Sequence, residues 1–475
     1  MELKYSSFLS EAKESLRNLV QELLKDFEFV SILATDCRGK SYSVSRTSSS
    51  ISGSMCNERG FVVRVYNGVN YSEYSFNNIN QQEVPNIVKV IRETLGGFIK
   101  KVDTTMELRT YELLEEENLI KTFDKQVKVN PHDLGDEEII NRINKIKDKG
   151  LSNSENVIDY RVRFEFLHVN KLYISKNKEL EQSYMWGNGA NICIASKENK
   201  TKYAYKGFSG IKGGELLEEM EENIEQIVDT TMELLDSEPM PAGEYDVICA
   251  PDVTGLIAHE AFGHGVEMDM FVKDRAKAKE YIDNFVASEL VIMHDGAAGV
   301  EGTSSYCFDD EGILSKDTII IENGILKTGI VDSLSGKNLG VKPTGNGKRE
   351  SFERKAYTRM TNTYFEAGNN TLEEMIASIN YGFLLEGAAS GMEDPKNWGI
   401  QCMVTLAREI KNGKLTGKVY SPVILTGYVP ELLKSISMVS KELELEGAGF
   451  CGKGYKEWVK VSSGGPYIKA KVRLG

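Results

Sequence analysis

The segment His259-Glu260-Ala-Phe-Gly-His264 combines residue types that can carry out metal chemistry. Neutral imidazole nitrogens are common zinc ligands, and a glutamate beside a metal-bound water can take its proton as a general base. The chain has five histidines, and two of them lie in this segment. The order is H-E-x-x-x-H, one residue longer than the H-E-x-x-H motif of many zinc peptidases. The segment therefore indicates a metal site if both imidazoles reach one side of the helix.

The spacing of the two histidines has a geometric consequence. A regular α-helix turns by about 100° per residue, so His259 and His264 would point roughly 140° apart. One widened π-helical turn would return both imidazoles to the same face, and Gly263 is a suitable position for it. We therefore predict a π-bulge between the histidines. On an undistorted helix, the three polar residues would be a chance pattern on a solvated surface.

The sequence that precedes the motif favours a functional site over a chance pattern. Residues 244–250 have the apolar composition of a buried strand, and Pro251-Asp252 is typical of a helix start. Residues 254–258 then begin a mainly apolar helix. Charged side chains on such a helix are costly to bury unless they have partners or a role.

A zinc site that keeps one position open for water needs a third protein ligand. Glu267 and Asp269 follow the motif closely and could serve if the chain turns. Cys451 lies among four glycines between positions 447 and 454, which would let the backbone approach a metal, and a thiolate suits zinc. The residues alone leave the choice open among six candidates: Glu267, Asp269, His294, Cys307, Asp309 and Cys451.

Residues 257–267, Ile-Ala-His-Glu-Ala-Phe-Gly-His-Gly-Val-Glu, resemble the metal motif of the TldD/PmbA family of bacterial and archaeal metallopeptidases. Three further family motifs follow in order: Asp-Asp-Glu-Gly at 309–312, Arg-Met-Thr-Asn-Thr-Tyr at 359–364 and Cys-Gly-Lys at 451–453. The intact H-E-x-x-x-H is similar to the catalytic TldD branch. The resemblance covers the carboxyl half and, more weakly, the amino half.

This resemblance implies a metal-dependent peptidase in which His259, His264 and Cys451 hold zinc or another divalent transition metal. Glu260 is then the general base that takes a proton from the activated water. The resemblance also implies unfolded or extended peptides as substrates, and an oligomer with a TldE/PmbA-like subunit or a second copy of the chain. It puts the basic stretch 348–359 near the active site, whereas its charge pattern alone is typical of a solvated loop.

Two other functions remain open from the sequence. Cys451 could be the nucleophile of a metal-free hydrolase that uses a histidine as its base. Alternatively, the metal could be structural in a non-catalytic binding subunit, although such a site has no need of a base at Glu260.

The composition argues against several other classes of protein. Among 475 residues, 57 Lys and Arg stand against 71 Asp and Glu, giving a formal net charge of −14. Nucleic-acid binding relies on basic surface, so we expect no nucleic-acid partner. The sequence starts with polar residues and contains no apolar run of about 18 residues. We therefore expect no signal peptide and no membrane span. Seven scattered cysteines without a C-x-x-C pair fit reduced thiols in a cytoplasmic protein.

Hydrophobic patterning predicts an α+β fold with two domains, residues 1–236 and 237–475, joined by a linker rich in Pro and Gly. The amino half is expected to contain two repeated β-rich units, about 29–100 and 160–235, each closed by a helix. Tyr42 and Tyr173 are 131 residues apart, as are Tyr74 and Tyr205. A charged connector, about 104–156, lies between the units. The carboxyl half is expected to be a largely antiparallel β domain that carries the metal-motif helix.

The pattern also predicts individual elements. The expected helices are 7–27, 83–99, 216–235, 371–379 and 430–443. The expected strands are 29–34, 40–46, 60–66, 71–76, 161–168, 171–175, 190–196, 202–206, 244–250, 288–293, 318–321, 325–331, 403–410 and 418–425.

Overall fold

The computed structural model describes residues 3–95, 111–454 and 457–475. Its amino half alternates helices with long strands. The elements are α1 (Ser7–Leu23), β1 (Phe29–Val44), β2 (Ser49–Gly53), β3 (Glu58–Tyr66), β4 (Tyr71–Phe76), α2 (Val84–Leu95), β5 (Leu119–Asp124), α3 (Pro131–Ser152), β6 (Val157–Ser175), β7 (Lys178–Lys197), β8 (Lys200–Gly210), α4 (Leu216–Glu222) and α5 (Ile224–Leu235).

The eight strands of this half form one sheet in the order β4-β3-β1-β6-β7-β5, with β2 beside β1 and β8 beside β7. At its centre, β1 and β6 are antiparallel and pair from Ser31 opposite Ser175 to Val44 opposite Val162. Helices α1 and α2 share one apolar cluster with part of this sheet, and α3, α4 and α5 contribute to a second cluster that also includes Tyr42 and Val44 of β1. The division of this half into two repeated units stays a prediction.

The carboxyl half is built mainly from short strands. Its elements are β9 (Gly243–Cys249), α6 (Pro251–Ile257), α7 (Asp269–Val272), β10 (Met293–Asp295), β11 (Thr318–Glu322), β12 (Ile325–Leu326), α8 (Ser333–Leu339), β13 (Gly347–Lys348), β14 (Tyr357–Thr358), β15 (Asn362–Phe365), α9 (Leu372–Ala377), β16 (Tyr381–Asp394), β17 (Gly399–Lys411), β18 (Lys414–Tyr420), β19 (Val423–Tyr428), α10 (Val429–Lys434), β20 (Met438–Val439), β21 (Glu444–Glu446), β22 (Phe450–Lys453), β23 (Glu457–Lys460), β24 (Ser462–Gly465) and β25 (Ile468–Leu474).

Two larger sheets organise these strands. In the first, β16 pairs with both β9 and β17, and the path β9-β25-β19-β17 closes the sheet into a barrel-like form. The second runs β12-β11-β10-β15-β24-β21. Helix α6 packs against β16 and β24, one strand from each sheet. The largest apolar cluster of the chain surrounds this helix, so the motif begins inside the core.

The predicted α+β class and the mostly antiparallel carboxyl half are confirmed. The division into domains at 236/237 stays a prediction. The end of the predicted helix 83–99 and the start of the connector 104–156 lie outside the described residues. Within the described ranges, no helix is both long and apolar enough to cross a membrane.

Several predicted element boundaries were wrong. The helix expected over 430–443 ends at Lys434, and the N–H of Ser437 already donates to the carbonyl of Lys469 in β25. The helix expected over 216–235 is divided at Asn223. The strand expected over 288–293 lies at Met293–Asp295, and the strand expected over 325–331 covers only Ile325–Leu326. The range 418–425 is divided between two strands.

Candidate metal centre

A π-helical turn, Ala258–Gly263, follows α6 directly. At its end, the backbone N–H of His264 donates to the carbonyl of His259, five residues earlier. The extra residue brings the two imidazoles to the same side, with ring centroids 5.0 Å apart and planes at 84°. The predicted bulge is therefore confirmed, and the H-E-x-x-x-H spacing does not separate the histidines.

Gly263 is required where the π-helical turn packs against the Arg-Met-Thr-Asn-Thr-Tyr segment. A Cβ at this position would come within 2.3 Å of the Met360 sulfur and 3.1 Å of the Ala258 carbonyl oxygen. Met360 is completely buried. A side chain at Gly263 would therefore push on the segment that supports the turn.

Cys451 approaches the histidines from the hairpin β22–β23. Its Sγ lies 3.5 Å from His264 Nε2, and one donor atom from each of His259, His264 and Cys451 lies within 4.8 Å of the other two. His259 and Cys451 are buried, while the side chain of His264 is 21% exposed. The structure thus brings the three predicted ligands together from distant parts of the sequence.

The chemistry of this donor set fits a divalent metal such as zinc. Two imidazoles and one thiol form a common N/S ligand set. The Nδ1 atom of His259 is buried without a hydrogen-bond partner among the described residues, a costly state for a polar atom. On His264, Nδ1 lies 3.3 Å from Glu267 Oε2, and Nε2 faces the Cys451 sulfur. Glu267 therefore selects the His264 nitrogen that would bind a metal.

The charges of the cluster favour a thiolate. Burial opposes ionisation of Cys451, but the imidazoles of His259 and His264 lower the pKa of the thiol to about 4. Although burial disfavours its charged form, His264 has a pKa well above its usual value because Cys451 and Glu267 stabilise the imidazolium. A metal cation here would compete with that proton, since zinc binds a thiolate and a neutral imidazole.

Glu267 is 1% exposed and holds the second histidine from behind. Burial opposes its ionisation, but Lys453 and His264 hold the pKa of Glu267 well below its usual range. Lys453 Nζ lies 2.9 Å from Glu267 Oε2 and donates to Asp269 Oδ1 at 2.7 Å. The lysine of the Cys-Gly-Lys motif therefore neutralises two buried carboxylates next to the site.

Arg359 fixes the hairpin that carries the cysteine. Its guanidinium is 1% exposed and donates to the carbonyl of Cys451 at 2.5 Å and to that of Glu457 at 3.0 Å. These bonds anchor both strands, so Arg359 positions the Cys451 sulfur without touching it. The sequence marks Arg359 and Lys453 as motif residues but gives no sign of these roles, because each contact joins residues far apart along the chain.

The other ligand candidates have different partners. Asp269 pairs with Lys453 and Lys273, and His294 lies 3.0 Å from Asp317. Asp309 accepts backbone N–H groups of Glu311, Ile313 and Gly347, and burial together with Glu311 raises its pKa to about 8. Cys307 lies in a separate apolar cluster with Tyr173 and Phe308. Glu267 contacts the Nδ1 atom of His264, and among the candidates in the described residues only Cys451 has a donor atom within 4.8 Å of donor atoms on both histidines.

Glu260 is partly exposed next to β16. A Cβ on Gly391 would come within 2.4 Å of the Glu260 Cγ, so the strand backbone passes directly beside the proposed base. On the same strand, Glu393 has two buried carboxylate oxygens without hydrogen-bond partners among the described residues. Burial raises the pKa of Glu393 well above its usual value. The sequence carries no motif that would have identified Glu393.

The basic stretch 348–359 is not a uniformly solvated loop. Lys348 and Arg359 are buried, and Arg349 is paired with Glu73, whereas residues 353–355 are exposed. The simple charge-run interpretation was therefore wrong for its two ends. The side chains of Lys348, Arg349 and Arg359 contact other parts of the chain near the site.

The carboxyl half of the chain is similar to known metallopeptidases. Residues 242–473 match the model of the PmbA/TldA metallopeptidase C-terminal domain. A metalloprotease of Methanothermobacter thermautotrophicus is 32% identical over 58% of this chain and 61% of its own length. A zinc metalloprotease TldD homolog of Saccharolobus solfataricus is 34% identical over 48% of this chain and 51% of its own. Both alignments span less than two thirds of the relative.

The fold itself is shared over nearly the whole chain. TldE from Thermococcus kodakarensis superposes with a TM-score of 0.74 and 18% identity, covering 97% of this chain and 100% of that one. Residues 242–473 thus match a metallopeptidase domain by sequence, and the fold of nearly the whole chain is shared with TldE. Through this carboxyl half, the chain is similar to the TldD/PmbA family.

Proposed function

We propose that this chain is a metal-dependent peptidase that hydrolyses unfolded or extended peptides. The observation that carries the proposal is the convergence of His259, His264 and Cys451 beside a glutamate that takes no part in holding them. The names of the two relatives, a metalloprotease and a zinc metalloprotease, support the same activity and favour zinc. A divalent zinc ion in this site would acidify a water molecule and polarise the peptide carbonyl.

The residues of the chain divide the remaining work. Glu260 takes a proton from the attacking water and returns it to the departing amine. Glu267 keeps His264 in the tautomer with a free Nε2, and Arg359 holds the cysteine strand at the correct distance. Beyond Leu385, β16 pairs with β17 but no longer with β9, so its second edge beside Glu260 is where we place an extended peptide.

Chelation provides the test. Purified protein should contain about one zinc per chain, digest an unfolded protein such as casein, lose activity with a chelator and regain it with zinc. A chelator-treated sample that still digests casein would contradict the proposal. A chain that keeps zinc but never hydrolyses peptides, alone or with a partner subunit, would be a metal-stabilised binding subunit instead.

One observation favours a second candidate, a metal-free cysteine hydrolase. Cys451 has a low pKa and lies 3.5 Å from His264, the arrangement of a thiolate–imidazolium pair. Iodoacetamide separates the two functions. In the cysteine hydrolase, it should inactivate the metal-depleted enzyme, which is the active form, whereas in the metallopeptidase bound zinc should protect Cys451 and activity together.

For the oligomer, we propose pairing with a TldE-like subunit or a second copy of the chain. The fold shared with TldE of Thermococcus kodakarensis supports two subunits of the same architecture. The molar mass of the purified chain in solution, measured with and without the co-expressed TldE-like protein from the same genome, would distinguish the two assemblies.

A further inference from the structure

A cavity of about 100 Å³ lies between the amino-half sheet and the carboxyl half, apart from the metal centre. This volume holds several waters or one small organic acid. The wall is aromatic and charged, and its cations do not all have partners. The lining residues on which the argument depends are Glu58, Trp186, Thr303, Arg349, Phe450 and Lys460.

Lys460 is the lining cation that the protein leaves unpaired. Its Nζ is buried and has no hydrogen-bond partner among the described residues. Its contacts are with two rings, at 4.4 Å from the Phe450 centroid and 5.1 Å from the Trp186 centroid. Ring faces attract a cation but accept none of its three N–H groups as a carboxylate would. Burial lowers the pKa of Lys460 to about 7, although Glu165 and Cys56 act in the opposite direction.

The other lining lysines do not share this condition. Lys171 is paired with Asp310, and Lys348 donates to Ser304 Oγ and to the carbonyls of Met360 and Lys460. Two further donors on the wall resemble Lys460 in lacking acceptors within the described chain. They are the Thr303 hydroxyl and the Arg349 Nε, both on buried side chains.

The carboxylates of the cavity wall, by contrast, are engaged by protein donors. Glu58 accepts the Phe352 N–H, Asp310 accepts the Arg349 N–H, and Glu350 accepts the Trp458 N–H. Asp309 is held by three backbone N–H groups. These carboxylates already have donors, whereas Lys460 Nζ, Thr303 Oγ1 and Arg349 Nε have no acceptor among the described residues, so the wall has donors to spare for a bound anion. One unpaired ammonium also favours a monoanion over a dianion.

We infer that this cavity is a binding site for a small carboxylate, with Lys460 as its charge partner, Thr303 and Arg349 as further donors, and Trp186 and Phe450 around its apolar part. This chemical class includes amino acids and the carboxyl ends of short peptides. The cavity and the candidate metal centre lie on opposite faces of the hairpin β22–β23. Phe450 and Lys460 are paired on the face of the cavity, and the next pair, Cys451 and Val459, points to the other face.

The test measures equilibrium binding and does not depend on peptidase activity. Full-length, zinc-loaded protein is titrated with sodium acetate, with sodium chloride and sodium phosphate at equal ionic strength as comparisons, and followed by its thermal midpoint and by calorimetry. We expect acetate to raise the midpoint saturably and more than either comparison salt. An acetate effect no larger than that of chloride, or tighter binding of phosphate, would overturn the inference.

Variants identify the site. Lys460→Met keeps the length of the side chain but removes the charge and should weaken acetate binding at least tenfold. Lys418→Met, at an exposed lysine elsewhere, should leave acetate binding unchanged. If Lys460→Met does not fold, Thr303→Val replaces it as the deciding variant, and we expect it to bind acetate more weakly than wild type. Wild-type acetate affinity in the deciding variant would refute the site.

Discussion

Single side chains at the metal centre are oriented by neighbours that are not ligands. His264 presents Nε2 to Cys451 because Glu267 faces its Nδ1, and Glu267 stays ionised in the core because Lys453 lies 2.9 Å away. The two histidines are proposed as ligands from residue type and spacing, and Cys451 from the family motif, and the structure brings these three candidates together. Their supports could not be predicted, since nothing in local sequence says that Lys453 reaches back to a carboxylate behind the histidine.

The role of Glu260 can be isolated with Glu260→Gln, which keeps the size of the side chain but removes the proton acceptor. We expect zinc content to stay at the wild-type level and casein hydrolysis to fall by about 10²–10⁴, the usual effect of losing a general base. Metal analysis and initial rates check both parts. Glu280→Gln, at an exposed glutamate, serves as the control. Wild-type turnover in Glu260→Gln would mean that another group takes the proton.

Cys451→Ser tests the third ligand. A serine hydroxyl stays protonated and binds zinc poorly, so we expect zinc and activity to be lost together while the amino half stays folded. Zinc content by atomic absorption and the far-ultraviolet circular dichroism spectrum measure the two outcomes. Cys307→Ser, in a separate cluster, should keep full zinc. A Cys451→Ser protein with stoichiometric zinc would move the third ligand to Glu267 or Asp269.

Among the elements, the π-helical turn was predictable and the strand lengths were not. The turn follows from two histidines that must share one face at a five-residue spacing. By contrast, the polar residues 35–39 suggest a break, yet β1 runs through them because Arg59 and Ser6 satisfy the buried Asp36 carboxylate. Such partners come from other elements, so a local pattern does not reveal them.

The tight packing at the turn predicts the effect of Gly263→Ala. The new methyl group would meet Met360 in a fully buried position, and we expect a loss of about 1–3 kcal/mol in the free energy of unfolding. The double variant Gly263→Ala, Met360→Ala should lose less stability than the sum of the losses in the two single variants, because the shorter side chain at position 360 leaves space for the new methyl group. Urea unfolding of all three variants measures this coupling. Gly427→Ala is the control, because a Cβ at this position would have no atom within 4 Å. Strict additivity would show that the two residues do not compete for space.

Across the whole molecule, buried ion pairs join the amino-half sheet to the loops beside the metal centre. Arg64 on β3 donates to Glu311 of the Asp-Asp-Glu-Gly motif at 2.6 Å and to Glu73 at 2.8 Å. Glu73 also accepts two N–H groups from Arg349. The motif therefore acts as a connector between the halves, which explains why its acids are unsuited to serve as metal ligands.

This connection predicts a pH dependence of stability that belongs to Glu73. Burial opposes its ionisation, but Arg349 and Arg64 lower the pKa of Glu73 from 4.5 to about 2. A carboxyl group whose pKa is lower in the folded state stabilises fully above its unfolded pKa, and this stabilisation is lost as pH falls from about 4.5 toward 2. By linkage, the shift corresponds to about 3 kcal/mol in the free energy of unfolding.

Glu73→Gln should therefore have a free energy of unfolding about 3 kcal/mol below that of wild type at pH 7. The gap, meaning this difference in stability between the two proteins, should narrow below pH 4. Urea unfolding of the metal-free protein between pH 7 and pH 3 measures it, with Glu11→Gln at an exposed helix position as the control. A gap that stays constant over this range would show that Glu73 contributes through its shape and not through its charge.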